Sequence, residues 1–198
     1  MIKRYLFIFI LCTSCASIDY SYFKDFKNLY SKNKILVDDS FVDKQDYSFI
    51  KVSNKKNDAI FILSNIDQFG VHKWIGSNYE TIKTIDGLII ETKGLQSDIK
   101  FYSYDVSVLE ETSSFESYID LYNPDLIFSN ILLKRNSITS YKNNKGNKID
   151  VFQYTRIVPE IGWKAQDSYT FEDGLIVKSI QQINPMLDPL EINFYFKY

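Results

Sequence analysis

Two Asp-Gly dipeptides, Asp86-Gly87 and Asp173-Gly174, each fall between apolar runs, and they constrain the fold more than anything else in the chain. A two-residue hairpin of type I′ needs positive φ at both central residues, which Asp and above all Gly tolerate. Each dipeptide therefore predicts antiparallel pairing of its flanks, 79–85 with 88–93 and 163–171 with 175–183. Further segments follow the same grammar. Residues 47–53, 59–65, 71–76, 99–109, 127–136, 148–158 and 190–198 are rich in β-branched and aromatic side chains. Turn formers such as Asn54-Lys55-Lys56-Asn57 and Ser77-Asn78 bound them. In the last segment Ile192, Phe194 and Phe196 alternate with Glu191, Asn193, Tyr195 and Lys197, the pattern of a strand with one wet face.

Roughly ten short strands joined by polar turns predict a mainly β chain: a single antiparallel β domain curled into a sandwich, barrel or half-barrel. One or two short helices complete the expectation. Tyr22, Phe23, Phe26, Leu29 and Tyr30 form an apolar stripe at helical spacing. Ser113-Ser114-Phe115-Glu116 resembles a helix start, and Phe115, Tyr118, Ile119 and Tyr122 follow at helical intervals up to Asn123-Pro124. Asp38-Asp39-Ser40 reads as a polar turn. Neither an internal repeat nor a composition shift calls for a second domain.

The N-terminus carries a different signal. Lys3 and Arg4 precede an uninterrupted apolar run, Tyr5 to Leu11, and the small residues Thr13 and Ser14 lead to Cys15. Charge, short apolar stretch and small residues in that order mark a secretory signal, and a spanning helix would need about 20 apolar residues. The cysteine directly after the small residues resembles a bacterial lipobox, although Cys12 stands where Leu is usual. The chain thus divides into a lipoprotein signal peptide, 1–14, and a β-rich lipoprotein body, 15–198, with a short tether and lipidation at Cys15. Ala16 after Cys15 suggests delivery to the outer membrane. Several acyl chains on one residue, at about 0.8 kcal/mol per buried CH₂, make a durable anchor.

With both cysteines at or before that site, the body has no disulfide and must be stabilised by its core. The 45% hydrophobic and 16% aromatic content is ample for one and too apolar for disorder. Without Lys3 and Arg4 the 23 basic residues become 21 against 25 acidic. This mild acidity argues against nucleic-acid binding.

Residues for chemistry are scarce. His72 is the single histidine, so a zinc site and a Ser-His-Asp triad both lack their parts. Seven dispersed glycines provide no phosphate loop. Neighbouring carboxylates such as Glu110-Glu111 point to opposite faces of a strand and cannot act as a pair. Glu160 near Trp163 is the most informative acid, because acid plus aromatic suits a sugar. Trp74 and Trp163, close to expected strand ends, join Glu160 as candidate binding residues. No catalytic residue, metal ligand or cofactor is expected.

Two segments carry a family resemblance. The first runs from Lys73-Trp74-Ile75 through the Asp86-Gly87 hairpin to Glu91-Thr92-Lys93-Gly94-Leu95. In the second, Asp173-Gly174 leads into Val177-Lys178-Ser179-Ile180-Gln181-Gln182-Ile183-Asn184-Pro185 and Asp188-Pro189-Leu190. Together with Tyr47 to Val52 they resemble the YjbF/GfcB family of lipoproteins, encoded with capsule and exopolysaccharide export systems. One family tryptophan corresponds here to Tyr169. The resemblance implies a non-enzymatic accessory lipoprotein of exopolysaccharide or capsule production, at the periplasmic face of the outer membrane. Its partners would be the membrane, through Cys15, and polysaccharide-export proteins or the polysaccharide. The alternatives are a periplasmic carrier of a lipid or lipid-linked glycan and, less favoured, a glycan-active enzyme.

Overall fold

The computed structural model describes residues 34–103, 113–122 and 124–197. Twelve antiparallel strands form a closed barrel in which each strand neighbours the next along the chain. They are β1 (Phe49–Ser53), β2 (Asp58–Ile66), β3 (His72–Ile75), β4 (Thr81–Ile85), β5 (Leu88–Lys93) and β6 (Ile99–Phe101), followed by β7 (Ser114–Leu121), β8 (Leu126–Lys142), β9 (Lys148–Val158), β10 (Trp163–Glu172), β11 (Leu175–Gln181) and β12 (Leu190–Tyr195). Closure comes from β1 and β12, registered Phe49 to Tyr195 and Ser53 to Glu191. Beyond that ladder the Lys197 N–H donates to Ser48 Oγ at 2.9 Å, across 149 positions of sequence.

The two Asp-Gly turns are as their chemistry requires. Asp86 and Gly87 have φ of 48° and 83°, and Asp173 and Gly174 have 49° and 83°. Both hairpins are thus of the primed type that matches the twist of the strands. Two local expectations fail. Residues 113–122 form a strand, β7, and not a helix. Ser117, Ile119 and Leu121 face inward while Glu116 and Tyr118 face out, so the true period is two. Small, polar Ser117 occupies an inward position and blurs that alternation. Its hydroxyl is satisfied by donating to the Ser103 carbonyl at 2.7 Å. The Asp38-Asp39-Ser40 turn is instead the start of a short helix, α1 (Asp39–Asp43), whose Phe41 N–H is accepted by the Asp38 carboxylate at 2.8 Å. A 3₁₀ turn at Pro159–Ile161 joins β9 to β10. The expected helix over 22–30, the expected signal peptide and Cys15 lie outside the described residues, as does the end of the expected 99–109 strand from 104 on.

The barrel is flattened, and its interior is a core. Inward positions of alternating strands bring Ile50, Trp74, Ile82, Leu88, Ile90, Leu133, Tyr154, Tyr169 and Ile192 into one apolar cluster. Gln181 on β11 accepts from the Ile89 N–H of β5 at 3.0 Å and donates to the Gly87 carbonyl at 2.7 Å. Strands β5 and β11 lie diametrically opposite in the ring of twelve, so the two walls touch. Gly87 is required for that approach, since a Cβ there would stand 2.6 Å from Ile176 Cγ1.

A second, smaller cluster lies outside the wall. Residues 34–47 descend along the outer face of β1 and β2, covering Phe49 and Ile60 with Ile35, Val37, Phe41 and Val42. Phe49 stacks on Tyr195 with ring centroids 4.7 Å apart. The upper end of this segment is latched by Asp58, which accepts from the Ile35 N–H at 2.8 Å and pairs with Lys51 at 3.0 Å. Burial opposes the Asp58 charge, but bonds from Lys51, Ile35 and Ser53 outweigh it and hold the carboxyl below its ordinary value.

Candidate functional site

The three candidate binding residues do not come together. Trp74 is fully buried between the walls, where its Nε1–H donates to Thr84 Oγ1 at 2.9 Å. Its ring meets His72, Phe194 and Phe196, so it is a core residue with no face for a sugar. Trp163 also faces inward and is buried, and its indole N–H has no partner. Strand ends in a closed barrel are still lined by its interior, which is why proximity to an end did not bring exposure. Glu160 alone is on the surface. Its carboxylate accepts from both the backbone N–H of Asn130 at 2.8 Å and its side-chain amide at 3.0 Å. Those bonds, the backbone one foremost, hold Glu160 below its ordinary pKa and keep it charged.

His72 packs its ring parallel to Trp74, 5.7 Å away, and against Phe196. Burial lowers its pKa, against weaker opposing effects of the Gly70 backbone and Asp67. It plugs one end of the barrel.

Two features remain as sites. The first is an aromatic platform on the outer wall of β6, β7 and β8. Tyr118 and Phe128 stack in parallel at 4.2 Å, and Tyr102 meets Phe128 edge-on at 5.1 Å. All three are substantially exposed. Phe128 has φ of 49°, a conformation an aromatic residue adopts only when its surroundings enforce it. Asp120 does so: it sits at an irregularity of the β7–β8 ladder, and its carboxylate accepts from the Phe128 N–H at 2.8 Å. The same carboxylate accepts from the Tyr102 hydroxyl, and Lys100 Nζ lies 4.8 Å from the Tyr102 ring centre. Asn130, held by Glu160, follows Phe128 on the same face of β8. Glu160 is thus tied through Asn130 to β8, the strand that carries Phe128. Sequence reading missed this cluster because 113–122 was assigned the wrong period. The alternation Glu116, Tyr118, Asp120, Tyr122 is the signal that could have found it.

The second feature is a cavity of about 960 Å³ at one end of the barrel. It opens between the β1–β2 turn, the β5–β6 loop and the long β11–β12 loop. Val52, Phe61, Ile82 and Ile183 form its apolar part. Ser97 also lines it, buried and with its hydroxyl unpartnered.

A 12-stranded up-and-down barrel, flattened until opposite walls meet and covered on one side by its N-terminal segment, defines the class. No known family matches the sequence, and no curated protein does. Among solved structures the fold is similar to that of a hypothetical lipoprotein, YmcC from Escherichia coli (K12). The TM-score is 0.69 at 14% identity, over 92% of this chain and 97% of the other.

Proposed function

We propose that this chain is a lipid-anchored, non-catalytic accessory protein of exopolysaccharide or capsule secretion, and that the Tyr102–Tyr118–Phe128 platform is its contact with the polysaccharide. The observation that carries the reading is Phe128, an exposed aromatic residue kept at positive φ by Asp120. Such strain persists where the surroundings over-determine it, and it clusters at binding sites. Exposed rings offer apolar faces and edges to the C–H groups of a sugar, while Asp120 and Asn130 offer polar partners to its hydroxyls. The lipobox-like sequence ending at Cys15 supports the anchor, and so does a shared fold with a protein described as a lipoprotein. The resemblance to YjbF/GfcB lipoproteins supplies the secretion context and, with Ala16, the periplasmic face of the outer membrane.

Deletion of the protein lowers secreted polysaccharide on this reading, and the wild-type chain restores it. Phe128→Gly removes the ring while relieving the backbone, so it tests the contact without destabilising the barrel. The expected result is a correctly localised Phe128→Gly,Tyr118→Ala protein that melts as wild type does but restores little secretion. Glu160→Gln and His72→Ala are expected to restore it, since neither carries a chemical step. Full restoration by the platform variant would remove the platform from function, and failure of Glu160→Gln alone would favour acid–base chemistry.

A carrier role is the second reading, favoured by the end cavity and its unpartnered Ser97 hydroxyl. Native mass spectrometry decides it: a carrier holds a co-purifying lipid, lost when Ile82→Trp fills the cavity.

A further inference from the structure

We infer that the cavity end of the barrel docks on the lipid bilayer, so that the protein stands on the membrane in one orientation and is not merely tethered near it. The inference rests on the reading of Cys15 as the lipid anchor. The antiparallel order sorts the connections to two ends. The cavity end carries the loops at 54–57, 76–80, 94–98, 122–125, 159–162 and 182–189. The opposite end carries those at 67–71, 86–87, 143–147 and 173–174.

The chain outside the described residues joins the cavity end. Ile35 is bonded to Asp58, the first residue of β2, directly beside the 54–57 turn. The described body is therefore entered at this end, at Lys34, and not at the other. The exposure of apolar side chains follows the same polarity. Among the described residues the four most exposed large hydrophobics are Leu36 at 81%, Ile127 at 80%, Met186 at 73% and Tyr79 at 68%, and all belong to the cavity end. Tyr122 and Ile161, also exposed, extend the set to further loops of that rim. Leu175, Ile66, Tyr141 and Phe69 at the opposite end are between 50% and 57% exposed. The loops of this end carry Lys55 and Lys56, together with Lys34, against Glu80, Asp98, Asp125, Glu160 and Asp188, and Lys55 pairs with Asp188 at 2.7 Å. Acidic residues there outnumber basic ones by five to three, so apolar insertion and not attraction to anionic headgroups commits this end to a membrane. Apolar residues scattered singly mean little. Here they crown several loops around one opening, at the end where the chain enters the described body.

The body has no cysteine, so a single introduced thiol is a unique reporter once Cys15 is acylated. The lipidated full chain, purified from membranes as Ile127→Cys, Met186→Cys, Tyr141→Cys or Leu175→Cys, is labelled with an environment-sensitive fluorophore. It is then reconstituted into phosphatidylethanolamine–phosphatidylglycerol vesicles containing brominated lipid. The expected result is several-fold stronger quenching at 127 and 186 than at 141 and 175, together with flotation of every variant. Flotation with equal quenching at both ends, or with stronger quenching at 141 and 175, overturns the docking and leaves the anchor standing. Failure to float removes the anchor and the docking with it. Leu36→Glu in the Met186→Cys background provides a second measurement: flotation persists and quenching falls if the rim inserts, whereas unchanged quenching counts against it.

Discussion

Single residues divide here by how many constraints meet at one atom. Gly87 and Gly174 share a turn type and a φ of 83°, yet only Gly87 faces a neighbour. A Cβ at Gly174 meets open space, so Gly174→Ala costs only the backbone strain of a left-handed L-residue, about 1–2 kcal/mol. Gly87→Ala adds a clash with Ile176 and is expected to cost clearly more. Thermal melting of both checks this, and Ile176→Ala combined with Gly87→Ala is expected to recover part of the difference. His72 offers a separate test because it is the chain's only histidine. Burial lowers its pKa in the folded state, so the unfolded chain binds the proton first. Stability is then complete above the ordinary histidine value and falls as pH drops through it toward the folded pKa. Melting at pH 5.5 is expected below that at pH 7.5, and His72→Phe, which keeps the ring stack, is expected to flatten the dependence in this window.

Between strands, the longest side-chain connection is polar. Arg156 on β9 donates to Asp167 on β10 through Nε at 2.9 Å and Nη2 at 2.6 Å, both groups being fully buried. Asp167 also accepts from the Gln182 N–H at 3.1 Å, and Tyr169 donates to Gln181 at 3.2 Å. The network thus ties β9, β10 and β11 and, through Gln181, crosses to β5. Burial pushes the Asp167 carboxyl up, and Arg156 opposes it. Arg156 Nη1 has no partner, so the pair is incompletely satisfied. Removing one partner strands the other charge: Asp167→Asn is expected to cost about 3–5 kcal/mol, and the double change Arg156→Met,Asp167→Leu much less. Denaturant unfolding of the three variants measures it. None of this network was visible beforehand, because Arg156 and Asp167 are 11 positions apart and sit in runs whose alternation only says that both face inward. What was legible is local. The Asp-Gly turns, the bounds of β5 and β9 and the alternation of β12 follow from backbone chemistry within a few residues. The 113–122 segment was misread because its aromatics fit two periods at once, and barrel closure was one of three open choices because β1 and β12 pair across nearly the whole chain. Trp74 and Trp163 were misplaced for the same reason: which side of a strand is inside depends on a closure that no short window contains.

For the molecule as a whole, the proposed anchor and the fold are separable. The core clusters of the described residues are built from positions 35–196, so Cys15→Ala is expected to melt like the wild-type body yet to lose incorporation of a palmitate analogue and membrane flotation. Equal labelling of the variant would show that the lipid is attached elsewhere. A fold closed by its first and last strands also carries a consequence for its biosynthesis. Synthesis proceeds from the N-terminus, so β1 emerges early with one of its two neighbours, and the ladder from Phe49 to Ser53 stays half-made until β12 follows. Until then β1 presents an open edge, and the wall that Gln181 braces against β5 has no opposite side. Partial chains therefore lack the cooperative state and remain threadable, as the export proposed above would require. The same delay leaves Ile50 without its β12 neighbours until synthesis ends, so the interval before closure is when a partial chain is most exposed to wrong edge-to-edge pairing.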